Sequence, residues 1–241
     1  MSSNTRWFKF LSRWSLLAGL ATLALFSGFF AVILPAAAKS PLSPESGLGA
    51  IEFPAALTQP ALYRIIITFD LAGWLALAGF FIAFAALFAE RAPIRSTFIA
   101  ACGVSMISGL IGAYTRLTGT TELAARYLVA PPAQQATILQ SYLDLVRAFT
   151  AHFGIGELLW GTALVLIASG AWSSREFPRW LTLGLAISGL MAVVQQVVGL
   201  LTGADLGFLF FPAIILLMLV YFALAWRFWS GAPAGQATAA A

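Results

Sequence analysis

Residues that build metal and redox sites are almost absent from this sequence. Cys102 is the only cysteine and His152 is the only histidine. An intrachain disulfide needs two cysteines, and a zinc site or a bis-histidine haem needs more Cys and His than one such chain supplies. We therefore expect no metal site and no cofactor.

Charged residues are also scarce. They make up 9% of the 241 residues, and hydrophobic residues make up 61%. A soluble domain averages about 25% charged residues and about 45–50% apolar residues. The net charge of +4 comes from basic residues scattered at the ends of apolar segments, which is typical of membrane topology and not of nucleic-acid binding. The composition predicts a polytopic membrane protein whose partner is the lipid bilayer, with no nucleic-acid partner. It does not predict an oligomeric state.

Long apolar runs fill most of the chain. A hydrocarbon core about 30 Å thick requires roughly 20 apolar residues of helix, and backbone groups in lipid must be satisfied within the segment, so these runs are helices. Six runs are predicted, at about 14–36, 61–89, 97–117, 152–172, 180–202 and 207–229. The predicted fold is an all-α membrane bundle of six transmembrane helices, one domain over residues 1–230, with a disordered tail over 231–241.

The first run has two interpretations. Its basic start and its ending, Ala36-Ala37-Ala38, resemble a cleaved secretory signal. The apolar stretch is longer than the usual signal core of about 7–15 residues. For this reason we favour an uncleaved helix; cleavage would leave five spans and an exterior N-terminus.

The distribution of Lys and Arg predicts the orientation in the membrane. One side carries eight basic and two acidic residues, against five basic and seven acidic residues on the other side. Both termini are therefore expected to be cytoplasmic. Amphipathic indole rings favour the boundary between membrane and water. Six tryptophans lie near the predicted cytoplasmic boundary: Trp7, Trp14, Trp172, Trp180, Trp226 and Trp229.

Two segments are expected to lie outside the bilayer on the exoplasmic side. Residues 37–60 are rich in proline and glycine, which argues against a long helix. Residues 121–150 predict a short helix that stops before Pro131 and an amphipathic helix that begins at Pro132. Its apolar face is formed by Ile138, Leu139, Tyr142, Leu145, Val146 and Phe149. We expect this helix to pack as a lid over the helix ends; the alternative is a helix that binds a partner or gates a substrate.

Ionisable residues within the spans are the best pointers to function, because each costs about 2.5–3.5 kcal/mol at midspan on insertion scales. The acids and glutamines lie roughly 8–14 Å below the outer edge at 1.5 Å per residue, and the arginines lie higher. The candidate site consists of Asp70, Glu157, Arg64, Arg116, Gln195 and Gln196. We predict that these groups turn toward one another and away from lipid.

Small and aromatic residues share the helix faces of the candidate site residues. Arg116 continues a stripe of Cys102, Ser105, Gly109 and Gly112. Asp70 shares its stripe with Tyr63, Gly73 and Trp74, and Glu157 shares its stripe with Trp160 and Gly161. Small residues permit close approach between membrane helices, so these faces are predicted to point into the bundle.

Several functions remain open for this site. In one, a small ligand, an ion or protons bind to the polar cluster. In another, the acids and arginines of the cluster form ion pairs that only lock the order of the helices in a non-catalytic subunit or scaffold. Two acids within hydrogen-bonding distance could also perform aspartyl-type hydrolysis in the membrane. The motifs of serine hydrolases, zinc proteases and P-loop enzymes are absent from the sequence, so we lean against an enzyme. Finally, an acid could simply be protonated in lipid.

Two stretches carry a family resemblance. They are Gly156-Glu157-Leu158-Leu159-Trp160-Gly161 and Phe177-Pro178-Arg179-Trp180-Leu181, followed by Gly184 and Ser188-Gly189-Leu190. The chain resembles a bacterial family of six-helix membrane proteins that is described only as a domain of unknown function. The resemblance implies this architecture and a location in the cell inner membrane, and it implies no catalytic residue.

Overall fold

The computed structural model describes residues 3–40, 51–172, 174, 176–202, 206 and 209–229, most of which are helical. The helices are α1 (Ser3–Gly28), α2 (Leu34–Ala38), α3 (Phe53–Thr58), α4 (Pro60–Phe88), α5 (Pro93–Val129), α6 (Pro132–Ala171), α7 (Arg179–Thr202) and α8 (Phe210–Arg227). In this part of the chain six helical runs are long and apolar enough to cross a membrane. The prediction of a six-span all-α bundle is confirmed. The predicted tail over 231–241 lies outside the described residues.

The first span is interrupted by one π-helical stretch. Helix α1 continues through Phe29–Ile33, which is π-helical, into α2. Pro35 stands at the start of α2, where its ring cannot donate a backbone N–H and crowds the carbonyl four residues earlier. The wider π turn just before the proline is the kind of local adjustment by which membrane helices accommodate such a residue.

Helices α5 and α6 are much longer than a bilayer requires. They contain 37 and 40 residues, and about 20 residues suffice for one crossing. The helical structure is interrupted between them at residues 130–131, as predicted. The predicted outer helices are not separate, however, because no proline interrupts residues 94–130 or 133–171. They are extensions of the third and fourth spans.

The amphipathic pattern of the α6 extension is confirmed. Tyr142 and Val146 on its apolar face are buried. On the opposite face Asp144 and Arg147 form an exposed ion pair of 3.1 Å. Exposed charges over residues 122–147 are what a segment outside the hydrocarbon layer requires, and that placement stays a prediction.

The chain forms two compact units. The first unit comprises Met1–Leu20, Gly73–Ile107 and Gly154–Ala241, and the second unit comprises Ala21–Ala72 and Ser108–Phe153. The expectation of one domain over residues 1–230 stays a prediction.

The core of the second unit joins the short helices to α6. Phe53 of α3 is buried and stacks on Tyr142 of α6, with ring centroids 4.5 Å apart. Ile33, Tyr63 and Val146 belong to the same apolar core. The segment 51–58 is therefore held by packing against helices that are distant in sequence.

The first unit holds an aromatic core next to a polar turn. Phe8 of α1 stacks on Phe228 at 4.6 Å, and Phe177 lies against both rings. Nearby, Arg91 forms an ion pair of 3.4 Å with Glu176, and the Nε of Arg227 donates to the backbone carbonyl of Glu176. Arg91, Glu176 and Arg227 are among the eight basic and two acidic residues that the sequence assigns to the side of the termini, and these contacts bring the three together.

Two glycines bring α6 and α7 into backbone contact in the first unit. A Cβ atom added at Gly161 would lie 2.9 Å from the carbonyl oxygen of Gly189. One added at Gly189 would lie 2.6 Å from the carbonyl oxygen of Gly161. Real Cβ atoms do not approach backbone oxygen so closely, so the helix contact depends on both glycines.

We expect Gly161→Ala to destabilise the protein by about 1–3 kcal/mol, because the new methyl group meets backbone that cannot move without separating the helices. The matched control is Gly112→Ala, where the Cβ would meet only the ring of Phe149 at 3.7 Å. That change should be neutral or stabilising by about 0.5–1 kcal/mol, since alanine favours the helix. Thermal unfolding in detergent measures both. Equal shifts for the two variants would contradict the close contact.

Candidate functional site

Arg116 of α5 contacts two carboxylates in the second unit. Its Nη2 atom lies 3.2 Å from Glu52 Oε1 and 3.5 Å from Asp70 Oδ2. The Tyr63 hydroxyl donates a hydrogen bond of 3.1 Å to Glu52 Oε2. We call these four residues the Arg116 cluster. The side chains of Glu52, Asp70 and Arg116 are 8%, 15% and 10% exposed, so the charges are largely withdrawn from the surface.

Helix α4 supplies Asp70 and Tyr63 from one face. They are seven positions apart, close to two helical turns, and they share this face as predicted. Arg64 follows Tyr63 and points about 100° further round the helix. It is exposed and forms no ion pair within the described part of the chain. Of the two predicted arginines, only Arg116 joins the cluster.

The guanidinium of Arg116 is also covered by an aromatic ring. Its Cζ atom lies 4.4 Å from the centre of the Phe149 ring of α6. A desolvated cation over an aromatic face gains about 2 kcal/mol. The Arg116 Nε is buried and has no hydrogen-bond partner among the described residues. Two carboxylates and one ring therefore hold the guanidinium.

Glu52 is the cluster residue that the sequence patterns did not single out. It was expected only as one of the acids of the outer segment 37–60. Its position depends on the packing of Phe53 against Tyr142, which no local periodicity predicts. The available signal was weak: Glu52 is the one charge within the apolar stretch 51–57.

The charges of the Arg116 cluster do not balance. Two acids face one guanidinium, and two carboxylates that share a site compete for the ionised state. Burial raises the pKa of Glu52 above its ordinary value of 4.5; the Arg116 guanidinium opposes the rise, the Asp70 carboxylate adds to it, and the Tyr63 hydroxyl opposes it. The net effect is a raised pKa, so Glu52 is protonated more readily than a carboxyl group in water.

Glu157 forms a different arrangement in the first unit. Its side chain is 1% exposed, and its Oε2 accepts a hydrogen bond of 2.6 Å from Gln196 Nε2. We call these two residues the Glu157 pair. No basic side chain of the described chain lies within ion-pair distance of Glu157. Of the predicted site residues, Gln196 contacts Glu157; a site shared with Arg64 and Arg116 stays a prediction.

The remaining candidates divide between the two units. Gln195 is half-buried in the first unit, and its Oε1 has no hydrogen-bond partner among the described residues. Asp70 and Glu157 belong to different units, so their sharing of one site stays a prediction. The side chain of His152 lies outside the described part of the structure. Within that part, no group of three His, Cys, Asp or Glu residues is placed to hold a metal ion.

Comparison with known proteins adds one family match. A family model described as a domain of unknown function (DUF4386) matches residues 17–230. No curated protein and no solved structure matches the chain. The match covers most of the sequence and assigns no activity, so function must be argued from the two buried polar arrangements.

Replacing Arg116 with methionine would leave two buried carboxyl groups without a cation. We expect Arg116→Met to destabilise the protein by about 3–5 kcal/mol, the usual cost of breaking a buried ion pair on one side. The control is Arg64→Met, an exposed position where the change should stay within about 0.5 kcal/mol. Both are measured by thermal unfolding in detergent. Small, equal effects would mean that Arg116 compensates no buried charge.

Proposed function

We propose that this chain, which belongs to the DUF4386 family, is a multi-pass membrane protein that takes up a proton or a small cationic ligand at the Arg116 cluster. The observation that carries the proposal is the charge count of that cluster. Glu52 and Asp70 face one guanidinium at 3.2 and 3.5 Å. One added positive charge brings the cluster to neutrality.

Neutrality matters because the cluster is buried. An excess carboxylate that has lost most of its water is penalised by several kcal/mol, and binding a proton or a cation removes that penalty. The groups that face Glu52 are Arg116 from α5, Asp70 and Tyr63 from α4, and Tyr142 from α6. Arg116 is the one cation among them, and it is already shared between two acids.

Exchange with the surroundings requires that the cluster is not sealed. Asp70 has the most exposed side chain of the three charged residues, at 15%. A proton or small cation therefore reaches the cluster most directly at the Asp70 carboxylate. Glu52, which also accepts the Tyr63 hydrogen bond, is the more enclosed acid.

The proposed orientation places both termini in the cytoplasm of a bacterial cell and the Arg116 cluster toward the exoplasmic side. The excess of Lys and Arg on the side of the termini supports it. Four tryptophans of the first unit are consistent with a membrane boundary on the side of the termini, because these residues are 52–87% exposed, as expected of rings at headgroup level. They are Trp172, Trp180, Trp226 and Trp229.

A structural lock is the second candidate, and one observation favours it. Glu52 is bonded to Tyr63 of α4 and Arg116 of α5, and the adjacent Phe53 stacks on α6. The same contacts therefore attach the short helix α3 to three spans. In this case the protein is a non-catalytic scaffold or subunit, and the excess acid has no role.

A double-mutant cycle separates the two functions. If the cluster carries one excess acid, Glu52→Gln and Asp70→Asn should each leave the unfolding temperature near neutral pH unchanged or raised. In the double variant the free energy of unfolding should fall by about 3–5 kcal/mol, because Arg116 then has no counter-charge. A lock predicts instead that each single change destabilises and that the two losses add. Losses that add would remove the proposed binding function.

The pH dependence of stability provides an independent check. The raised pKa of Glu52 means that the folded state binds this proton more tightly than the unfolded state does. Its stabilising contribution is complete below the ordinary value of 4.5 and is lost as the pH rises through the higher folded value. We expect the unfolding temperature of the wild type, relative to Glu52→Gln, to fall as the pH is raised from about 4 to about 8. A difference that grows with pH would contradict proton uptake at Glu52.

A further inference from the structure

The Glu157 pair lies next to the glycine contact of α6 and α7. Gly161 follows Glu157 by four positions, which is about one helical turn, and it touches Gly189 of the opposite helix. The antiparallel course of α7 then brings Gln196 beside Glu157. The carboxyl group thereby lies between two helices one turn from a close backbone contact, and 1% of the residue remains exposed.

The described side chains that contact α6 at residues 156, 157 and 159 in the following ways are neutral. Gln196 donates from α7 to Oε2. Trp74 of α4 lies beside Gly156, where an added Cβ would be 3.5 Å from the ring. Cys102 of α5 is buried, and its thiol donates to the carbonyl of Leu159 at 3.7 Å. No Arg or Lys side chain in the described part of the chain lies within ion-pair distance.

One carboxyl oxygen is left without a partner. Glu157 Oε1 is buried and has no hydrogen bond to any described residue. An ionised carboxylate here would be a buried charge with one amide donor and no counter-ion, which costs several kcal/mol. A carboxylic acid avoids that cost, because its neutral C=O oxygen accepts from Gln196 and its O–H carries the proton on the other oxygen.

From this geometry we infer that Glu157 is a second proton-binding site, with the proton on Oε1 and with Gln196 as the residue that positions the carboxyl. This inference does not rest on the function proposed for the Arg116 cluster, because the Glu157 pair contains no residue of that cluster. Acids that hold protons inside membrane spans are the usual elements of proton relays.

Gly154 makes the position of Gln196 testable without touching the carboxyl group. A Cβ atom at residue 154 would lie 2.9 Å from Gln196 Oε1. The methyl group of an alanine would therefore displace the amide, which is the far end of a flexible side chain, and weaken its hydrogen bond to Glu157. Gly156→Ala is the matched control, since its Cβ would make an ordinary contact of 3.5 Å with Trp74.

The first test is infrared difference spectroscopy on the full-length protein in detergent near neutral pH. Wild type minus Glu157→Gln should show the loss of one carboxylic-acid C=O band and no loss of a carboxylate band. The same loss should appear in a Glu52→Gln background, because the Glu157 pair contains no residue of the Arg116 cluster. If carboxylate bands disappear instead, Glu157 is ionised and the inference is overturned. If the unfolding temperature shows no pH dependence due to Glu52, the function proposed for the Arg116 cluster is removed, and the carboxylic-acid band of Glu157 is still expected.

The second test keeps the carboxyl group in place. Gln196→Leu and Gly154→Ala should each retain the acid band and move it to higher frequency, because the C=O oxygen loses its hydrogen bond. Gly156→Ala should leave the band where it is. A band that does not move in Gln196→Leu, or that moves equally in the Gly156→Ala control, would contradict the assignment of Gln196.

Discussion

A guanidinium shared between two carboxylates is the interaction on which the second unit depends. Arg116 cannot lose its charge under ordinary conditions, so burying it requires an acid within reach. Asp70 comes from a neighbouring span, but Glu52 comes from the segment before α3. The ion pair between Arg116 and Glu52 therefore attaches a connecting segment to the spans. It also sets the charge of the site, because the second acid exceeds what one cation can neutralise.

The first unit buries an acid by a different route. Glu157 has an amide donor from Gln196 and no ion-pair partner among the described residues, so we infer that its charge is avoided by protonation. This arrangement requires two helices in close contact, which Gly161 and Gly189 permit. Small residues thus do more than allow tight packing: they let a neutral amide reach a buried carboxyl group, and an unpaired polar group inside a membrane span is costly.

Much of this architecture follows from patterns that the sequence displays directly. Hydropathy predicts six spans, and helical spacing predicts the buried faces that carry Asp70, Arg116 and Glu157. Two features did not follow. The helix ends were inferred from changes in hydropathy, but a helix ends where its backbone is interrupted, and nothing interrupts α5 or α6 at the edge of their apolar runs. Glu52 was missed because its position depends on the contact between Phe53 and Tyr142, and such a contact leaves no periodic signal.

The length of α6 connects these points. Its extension carries an apolar face that includes Tyr142, the residue on which Phe53 stacks, and a polar face with the exposed pair of Asp144 and Arg147. Within the extension, the helical backbone holds these two faces in a fixed register. The register fixes α3, and α3 places Glu52 against Arg116. The extension of α6 therefore acts on the charged cluster through packing, which gives a role to residues beyond the roughly 20 that one bilayer crossing requires.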